Sequence, residues 1–175
     1  MQREEIFYRP PAIEDGKSIW KLVRDSGVLD LNSVYCYLLL CKDYPETCAV
    51  AEAKGEILGF VTAYLPPGRE DTLFIWQIGV SSALRGQGVA GRLLRDLLQR
   101  ECCRGVRFLE ATIGPSNDAS HALFAALAGR LGADLSEQPC FDATLFPGKS
   151  HEPENMIRIG PFQGFQPTQT YIQGT

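Results

Sequence analysis

The sequence predicts one α/β domain built on a mixed, twisted β-sheet with helices on both faces. Strand-like and helix-like periodicities alternate through the middle of the chain, from Thr72 to Leu131, and hairpin-like strand pairs flank that stretch at both ends. The length of 175 residues suits a single domain with one core, and 45% hydrophobic with 22% charged residues is ordinary for a folded protein. No internal repeat or linker interrupts it. The domain is expected over 1–160, with 161–175 a loose tail, since the chain from Phe162 onward is rich in Gln, Gly and Pro.

Ile6-Phe7-Tyr8 reads as a short first strand stopped by Pro10-Pro11. From Ile13 to Asp25, Ile19, Leu22 and Val23 recur at helical spacing, and Gly27 marks the stop. A second helix is expected from about Ser33 to Lys42, capped by Asn32 or Ser33, with Val34, Tyr35, Leu38 and Cys41 sharing its inner face. Thr47–Ala53 and Ile57–Tyr64 are strands joined at Lys54-Gly55-Glu56. After Pro66-Pro67-Gly68 comes a long strand, Thr72–Val80, whose two-residue period places Phe74, Trp76, Ile78 and Val80 on one face. The next helix turns Val89, Leu93, Leu94, Leu97 and Leu98 inward and Arg92, Arg95 and Arg100 outward. Val106–Ile113 is a strand, Asn117 opens a helix that stops at Gly132, and strands near Leu135–Thr144 and Met156–Ile159 finish the sheet.

Composition removes several classes of function. No apolar run approaches the ~20 residues that cross a bilayer, and Met1 to Glu5 is charged rather than apolar, so neither a membrane span nor a signal peptide is expected and the location is cytoplasmic. Six cysteines lack a C-x-x-C pair or any ligand rhythm with the two histidines; they read as buried or half-buried free thiols, and no metal is expected. A net charge of −4 without a basic cluster argues against nucleic acid as a partner and suits a cationic substrate.

Chemistry concentrates at Arg85-Gly86-Gln87-Gly88-Val89-Ala90, between the long strand and the helix that follows. A strand that passes through two glycines into a helix leaves unpaired N–H groups converging at the positive end of a helix dipole, which binds phosphate. A P-loop needs Lys and then Ser or Thr after its last Gly, whereas Val89 and Ala90 stand here. A dinucleotide fingerprint needs a third glycine and a later acidic residue, which this turn does not supply. The ligand is expected to be another pyrophosphate.

The pattern Arg85-x-x-Gly88-x-Ala90, preceded by Ile78-x-Val80 and followed by the Asn117 helix, resembles the acyl-CoA motif of the GNAT superfamily of N-acyltransferases, over most of residues 3–160. The resemblance implies the GNAT acyl-CoA N-acyltransferase fold. It also implies that Arg85, Gly86, Gln87, Gly88, Val89 and Ala90 hold the pyrophosphate of acetyl-CoA, that Ile78 and Val80 pair with its pantetheine arm, and that Asn117 and Phe124 border the same cofactor. Many members carry a Tyr seven residues after that Asn, where it protonates the leaving thiolate. Phe124 has no proton to give, so the acid is left unassigned, with water the favoured donor.

Leu29-Asp30-Leu31-Asn32-Ser33-x-Tyr35, Trp76-Gln77-Ile78-Gly79-Val80 and His151-Glu152-Pro153-Glu154 narrow the match to the diaminobutyrate acetyltransferases of ectoine biosynthesis, which this chain resembles throughout. That resemblance implies acetyl transfer from acetyl-CoA to the 4-amino group of L-2,4-diaminobutyrate, a homodimer, and an acceptor site of Asp30, Tyr35, Trp76, His151 and Glu154.

The reaction itself asks for such residues. An ammonium must lose a proton before it attacks a thioester, so a carboxylate or a relayed water must receive it. Glu154 is the candidate base and Asp30 the candidate partner for ammonium charge, with exchanged roles open; both are the candidate catalytic residues. A backbone N–H at Val80 is the candidate for the thioester oxyanion. Each residue also has a plainer use: Asp30 and Asn117 as helix caps, Tyr35 and Trp76 as core, Glu154 as solvated loop charge. The alternative activities are acetylation of another small amine or a protein N-terminus, and a non-catalytic CoA-binding module.

Overall fold

The computed structural model describes residues 5–148 and 151–163. Eleven elements follow in order: β1 (Phe7–Arg9), α1 (Asp15–Ser26), α2 (Val34–Asp43), β2 (Ala49–Ala53), β3 (Glu56–Tyr64), β4 (Thr72–Val80), α3 (Val89–Leu98), β5 (Phe108–Ile113), α4 (Asp118–Leu131), β6 (Leu135–Phe141) and β7 (Glu154–Ile159). The strands form one sheet in the order β1-β2-β3-β4-β5-β7-β6. Only β4 and β5 run parallel, because α3 carries the chain back between them.

Period-two alternation separates two cores. Val50 and Phe60 pack with Ile19 and Val23 of α1 and Tyr37 and Leu40 of α2. Their neighbours Ala49, Ala51 and Val61 turn to the opposite face, against Leu93, Leu94 and Leu97 of α3 and Phe124 and Leu127 of α4. Arg9 ties the first elements together by pairing with Asp15, which also accepts the Ala12 N–H at 2.7 Å, and with Glu52 of β2. Glu110, a buried carboxylate of β5, is held between Arg69 and Arg158.

Several expectations change. The inner face of α2 is Tyr37, Leu40 and Cys41; Val34 and Leu38 are half-buried and Tyr35 is 68% exposed. The run Cys36 to Cys41 is apolar all round, so spacing alone could not fix the rotation of this helix. Arg100, expected outward, lies beyond the end of α3 and turns in, its guanidinium donating to the carbonyls of Glu46 at 3.1 Å and Cys48 at 2.6 Å. Cys140 is exposed on β6, unlike the five other thiols. Phe162 is buried and its N–H donates to Arg107 O at 2.9 Å, so the packed chain reaches beyond 160. The rest of the expected tail, 164–175, lies outside the described residues.

The most consequential change is in β4. Thr62 pairs with Gln77 and Ala63 with Ile75, which leaves Trp76 as an extra residue without a partner on β3. A bulge shifts the alternation by one. Leu73 and Ile75 before it, and Ile78 and Val80 after it, all meet the α3–α4 core. Phe74 and Trp76 do not share that face; both line a cleft. β4 also parts from β5: their register runs from Thr72–Phe108 to Ile75–Ala111 and stops there. Among the described residues no strand covers the β5 side of β4 beyond that point.

Candidate active site

The turn after β4 is built as the sequence demands. Gly86 and Gly88 have φ of 75° and 78°, in the left-handed region, and nothing lies within 4 Å of where a Cβ would stand on either. Gly88 is the N-cap of α3 and no side chain caps the helix, so its first-turn N–H groups open onto an exposed turn. Gln87 closes that turn through its side-chain amide, which donates to Ala83 O at 3.0 Å. Buried Val89 anchors the first turn of α3 in the core, Ala90 is half-buried, and Arg85 is exposed at the rim. The parted edge of β4, Ile78 and Val80 included, leads from this turn towards the cleft. These features fit a long thioester with a pyrophosphate: a cradle that a Cβ would fill, free amides, and an unpaired strand edge. Asn117 caps α4 by accepting the Ser120 N–H at 3.1 Å. Phe124 is 2% exposed and belongs to the α3–α4 core.

The second half of the site is a cleft of about 910 Å³ on the other side of the bulge. Its floor comes from β3 and β4, through Tyr64, Phe74, Trp76 and Gln77. One wall is the α1–α2 loop with Asp30, and another is Thr112 of β5 with Ser116 of the turn before α4. Phe146, His151, Glu152 and Glu154 complete the lining. A smaller cavity of about 280 Å³ lies between α1 and the end of β4 and is lined in part by Val80 and Arg85.

Three carboxylates, Asp30, Glu152 and Glu154, and the His151 imidazole line the cleft. His151 stacks on Phe146, with ring centroids 3.7 Å apart and planes at 9°. Its Nδ1 lies 2.6 Å from Glu152 O and its Nε2 lies 3.6 Å from Asp30 Oδ2. Donation to the Glu152 carbonyl, and then the charges of Asp30 and Glu154, raise its pKa above the ordinary histidine value. Glu152 Oε2 accepts the Ser116 N–H at 3.1 Å, which holds its carboxyl below the usual range. Glu154 is half-buried at the start of β7, opposite Phe141.

A testable consequence concerns His151. Its imidazole should titrate by NMR above the free value, and Asp30→Asn should lower the midpoint part of the way, because the Glu152 carbonyl remains. A raised pKa favours the protonated native state, so this contact supports folding at acid pH and ceases to do so as pH rises through the native midpoint. A midpoint that Asp30→Asn leaves unmoved would remove the Asp30–His151 contact.

Comparison with known proteins places this geometry. The family model described as Acetyltransferase (GNAT) family matches residues 17–129. The L-2,4-diaminobutyric acid acetyltransferase of Marinococcus halophilus is 48% identical over 159 residues, covering 91% of this chain and 92% of its own. That of Bordetella parapertussis is 52% identical over 155 residues, covering 88% and 83%. The chain belongs to the GNAT family, among its diaminobutyrate acetyltransferases. The diaminobutyrate acetyltransferase EctA from Paenibacillus lautus, solved with L-2,4-diaminobutyric acid and coenzyme A, superposes with a TM-score of 0.89 at 43% identity, covering 91% of this chain and 97% of that one. The GNAT fold expected from the sequence is therefore the one observed, and acetyl-CoA is the co-substrate.

In this GNAT acetyltransferase the cleft gathers Asp30, Trp76, His151 and Glu154 from three separate stretches of chain. Tyr35 is not brought to it: the side chain stands on the outer face of α2. Asp30 is not the cap of α2, a role taken by Ser33, which accepts the Cys36 N–H at 3.2 Å. Sequence reasoning missed Glu152, Phe74 and Gln77 as lining residues. A buried amide within an apolar strand is itself a signal, because such a group must find partners. Gln77 was legible on that ground.

Proposed function

We propose that this chain transfers the acetyl group of acetyl-CoA to the 4-amino nitrogen of L-2,4-diaminobutyrate, giving N4-acetyl-diaminobutyrate for ectoine biosynthesis. The observation that carries the reading is the acid-lined cleft where β4 parts from β5, with Asp30 and Glu154 around Trp76. Acetyl-CoA supplies the activated acyl group as a thioester. Glu154 accepts the proton of the attacking ammonium, and Asp30 holds substrate cation at the rim, where its side chain is 83% exposed. Among the described lining residues His151 is the one group able to carry positive charge, and its raised pKa suits it to the substrate carboxylate. Trp76 supplies a flat wall from the bulge. Phe124 offers no proton, so the departing thiolate takes one from water.

Thiol release and mass spectrometry of the product test the reading, with diaminobutyrate set against ornithine, lysine, polyamines and peptides. Acetyl on the α-nitrogen, or faster turnover of a diamine without a carboxylate, would overturn it. A cytoplasmic homodimer completes the proposal. Val28, Leu31, Tyr35 and Leu39 are exposed apolar residues on the α1–α2 loop and α2, a surface that a second copy would cover. Sedimentation of an active monomer would remove the dimer.

A further inference from the structure

Gln77 is a polar residue in the middle of β4, buried with the hydroxyl of fully buried Tyr37 beneath the cleft. Both ends of its amide are used. Tyr37 Oη donates to Gln77 Oε1 at 2.9 Å, and Gln77 Nε2 donates to the main-chain oxygen of Asp30 at 2.8 Å. Asn32 of the same loop also faces the Tyr37 hydroxyl. The backbone of Gln77 is fixed in turn by Thr62, whose Oγ1 accepts the Gln77 N–H at 3.2 Å and lies 3.4 Å from Gln77 O. A polar pair is buried at a cost unless its groups are satisfied; Tyr37 and Gln77 satisfy each other, and the Gln77 amide N–H is satisfied by the loop that carries Asp30.

The loop is further anchored by Leu29, which packs against the α1–α2 core. Ser26 Oγ accepts the N–H groups of Val28 and Leu29 at its start, and Ser33 caps α2 at its end. Between them the Asp30 side chain is largely exposed, with Oδ2 3.6 Å from His151 Nε2, and its direction is set by that contact and by its main chain. We infer that Gln77, braced by Tyr37, is a positioning residue for acceptor binding: it fixes the Asp30 segment against β4 and thereby aims the Asp30 carboxylate at the substrate ammonium. The bulge serves both sides of the cleft, since it exposes Trp76 and turns the next residue, Gln77, beneath the loop. The inference rests on the acceptor reading proposed above.

The test is a kinetic cycle on the full chain with acetyl-CoA and diaminobutyrate. Gln77→Met keeps the length of the side chain and removes both hydrogen bonds, and is expected to raise KM for diaminobutyrate about tenfold. Tyr37→Phe removes one hydroxyl and is expected to raise it about threefold. KM for acetyl-CoA should stay within about twofold in both, because the Gly86–Gly88 turn is untouched. In an Asp30→Asn background, where the carboxylate to be aimed is gone, Gln77→Met should add less than about twofold. A folded Gln77→Met enzyme with unchanged KM for diaminobutyrate overturns the inference. So does a full tenfold effect persisting in Asp30→Asn, or a parallel rise in KM for acetyl-CoA, either of which marks a merely structural role. If Gln77→Met does not fold, Tyr37→Phe decides, and an unchanged acceptor KM there overturns the inference too. An unaltered enzyme that does not acetylate diaminobutyrate fails the functional reading instead, before any variant is compared.

Discussion

Replacing Glu154 by Gln should lower kcat about a hundredfold or more while KM for diaminobutyrate changes little, because shape and hydrogen bonding persist and only the proton acceptor is lost. The residue begins β7, where pairing with Phe141 sets its backbone, and its half-buried side chain lines the cleft. Asp30→Asn should behave in the opposite way. It removes an interaction present in both ground and transition states, so KM for diaminobutyrate rises and kcat changes little. Acetyl-CoA affinity should be the same in both variants. Steady-state kinetics in both substrates decide the assignment: a Glu154→Gln enzyme with normal kcat across pH leaves water or a main-chain relay as the base.

Gly88→Val carries the other large effect. Its φ of 78° lies where a β-branched residue is strained, by roughly 1–3 kcal/mol, yet no atom stands within 4 Å of the new Cβ. The chain should therefore fold with modestly reduced stability. The added methyl groups would occupy the space above the free amides at the start of α3, where a pyrophosphate must approach closely. Acetyl-CoA affinity should fall on the order of a hundredfold, the loss of one or two charge-assisted hydrogen bonds. Calorimetry measures it directly, and unchanged affinity would refute the role of the turn.

Much of this architecture was legible because it rests on local signals. Gly27 and Gly132 stop α1 and α4 in the left-handed conformation, and Asn117 caps α4, as their sequence positions suggested. The turn at Arg85–Gly88 was legible for the same reason: two glycines before a helix have few other uses. What escaped were features set by tertiary packing. Two-residue spacing does not reveal the β4 bulge in the largely apolar run Thr72–Val80, so Phe74 and Trp76 were placed with Ile78 and Val80. Nor could spacing tell Tyr35 from Tyr37 on a helix that is apolar all round. The hydroxyl of Tyr37 settles which one is buried, through a partner 40 residues away. The acidic residues of the cleft were found through resemblance, since Asp30 and Glu154 lie too far apart in the chain for any pattern to link them.

The position of β7 has a bearing on how the enzyme is made. This strand, the last among the described residues, inserts between β5 and β6, with Leu109 opposite Ile159 and Ala111 opposite Ile157. While the ribosome is still synthesising the chain, one side of β5 is an unprotected edge, and it stays so until residue 159 has emerged. The same stretch brings Glu154, so completion of the sheet and arrival of the candidate base are a single event. A nascent or truncated chain ending short of β7 would thus be both inert and prone to pair with its neighbours.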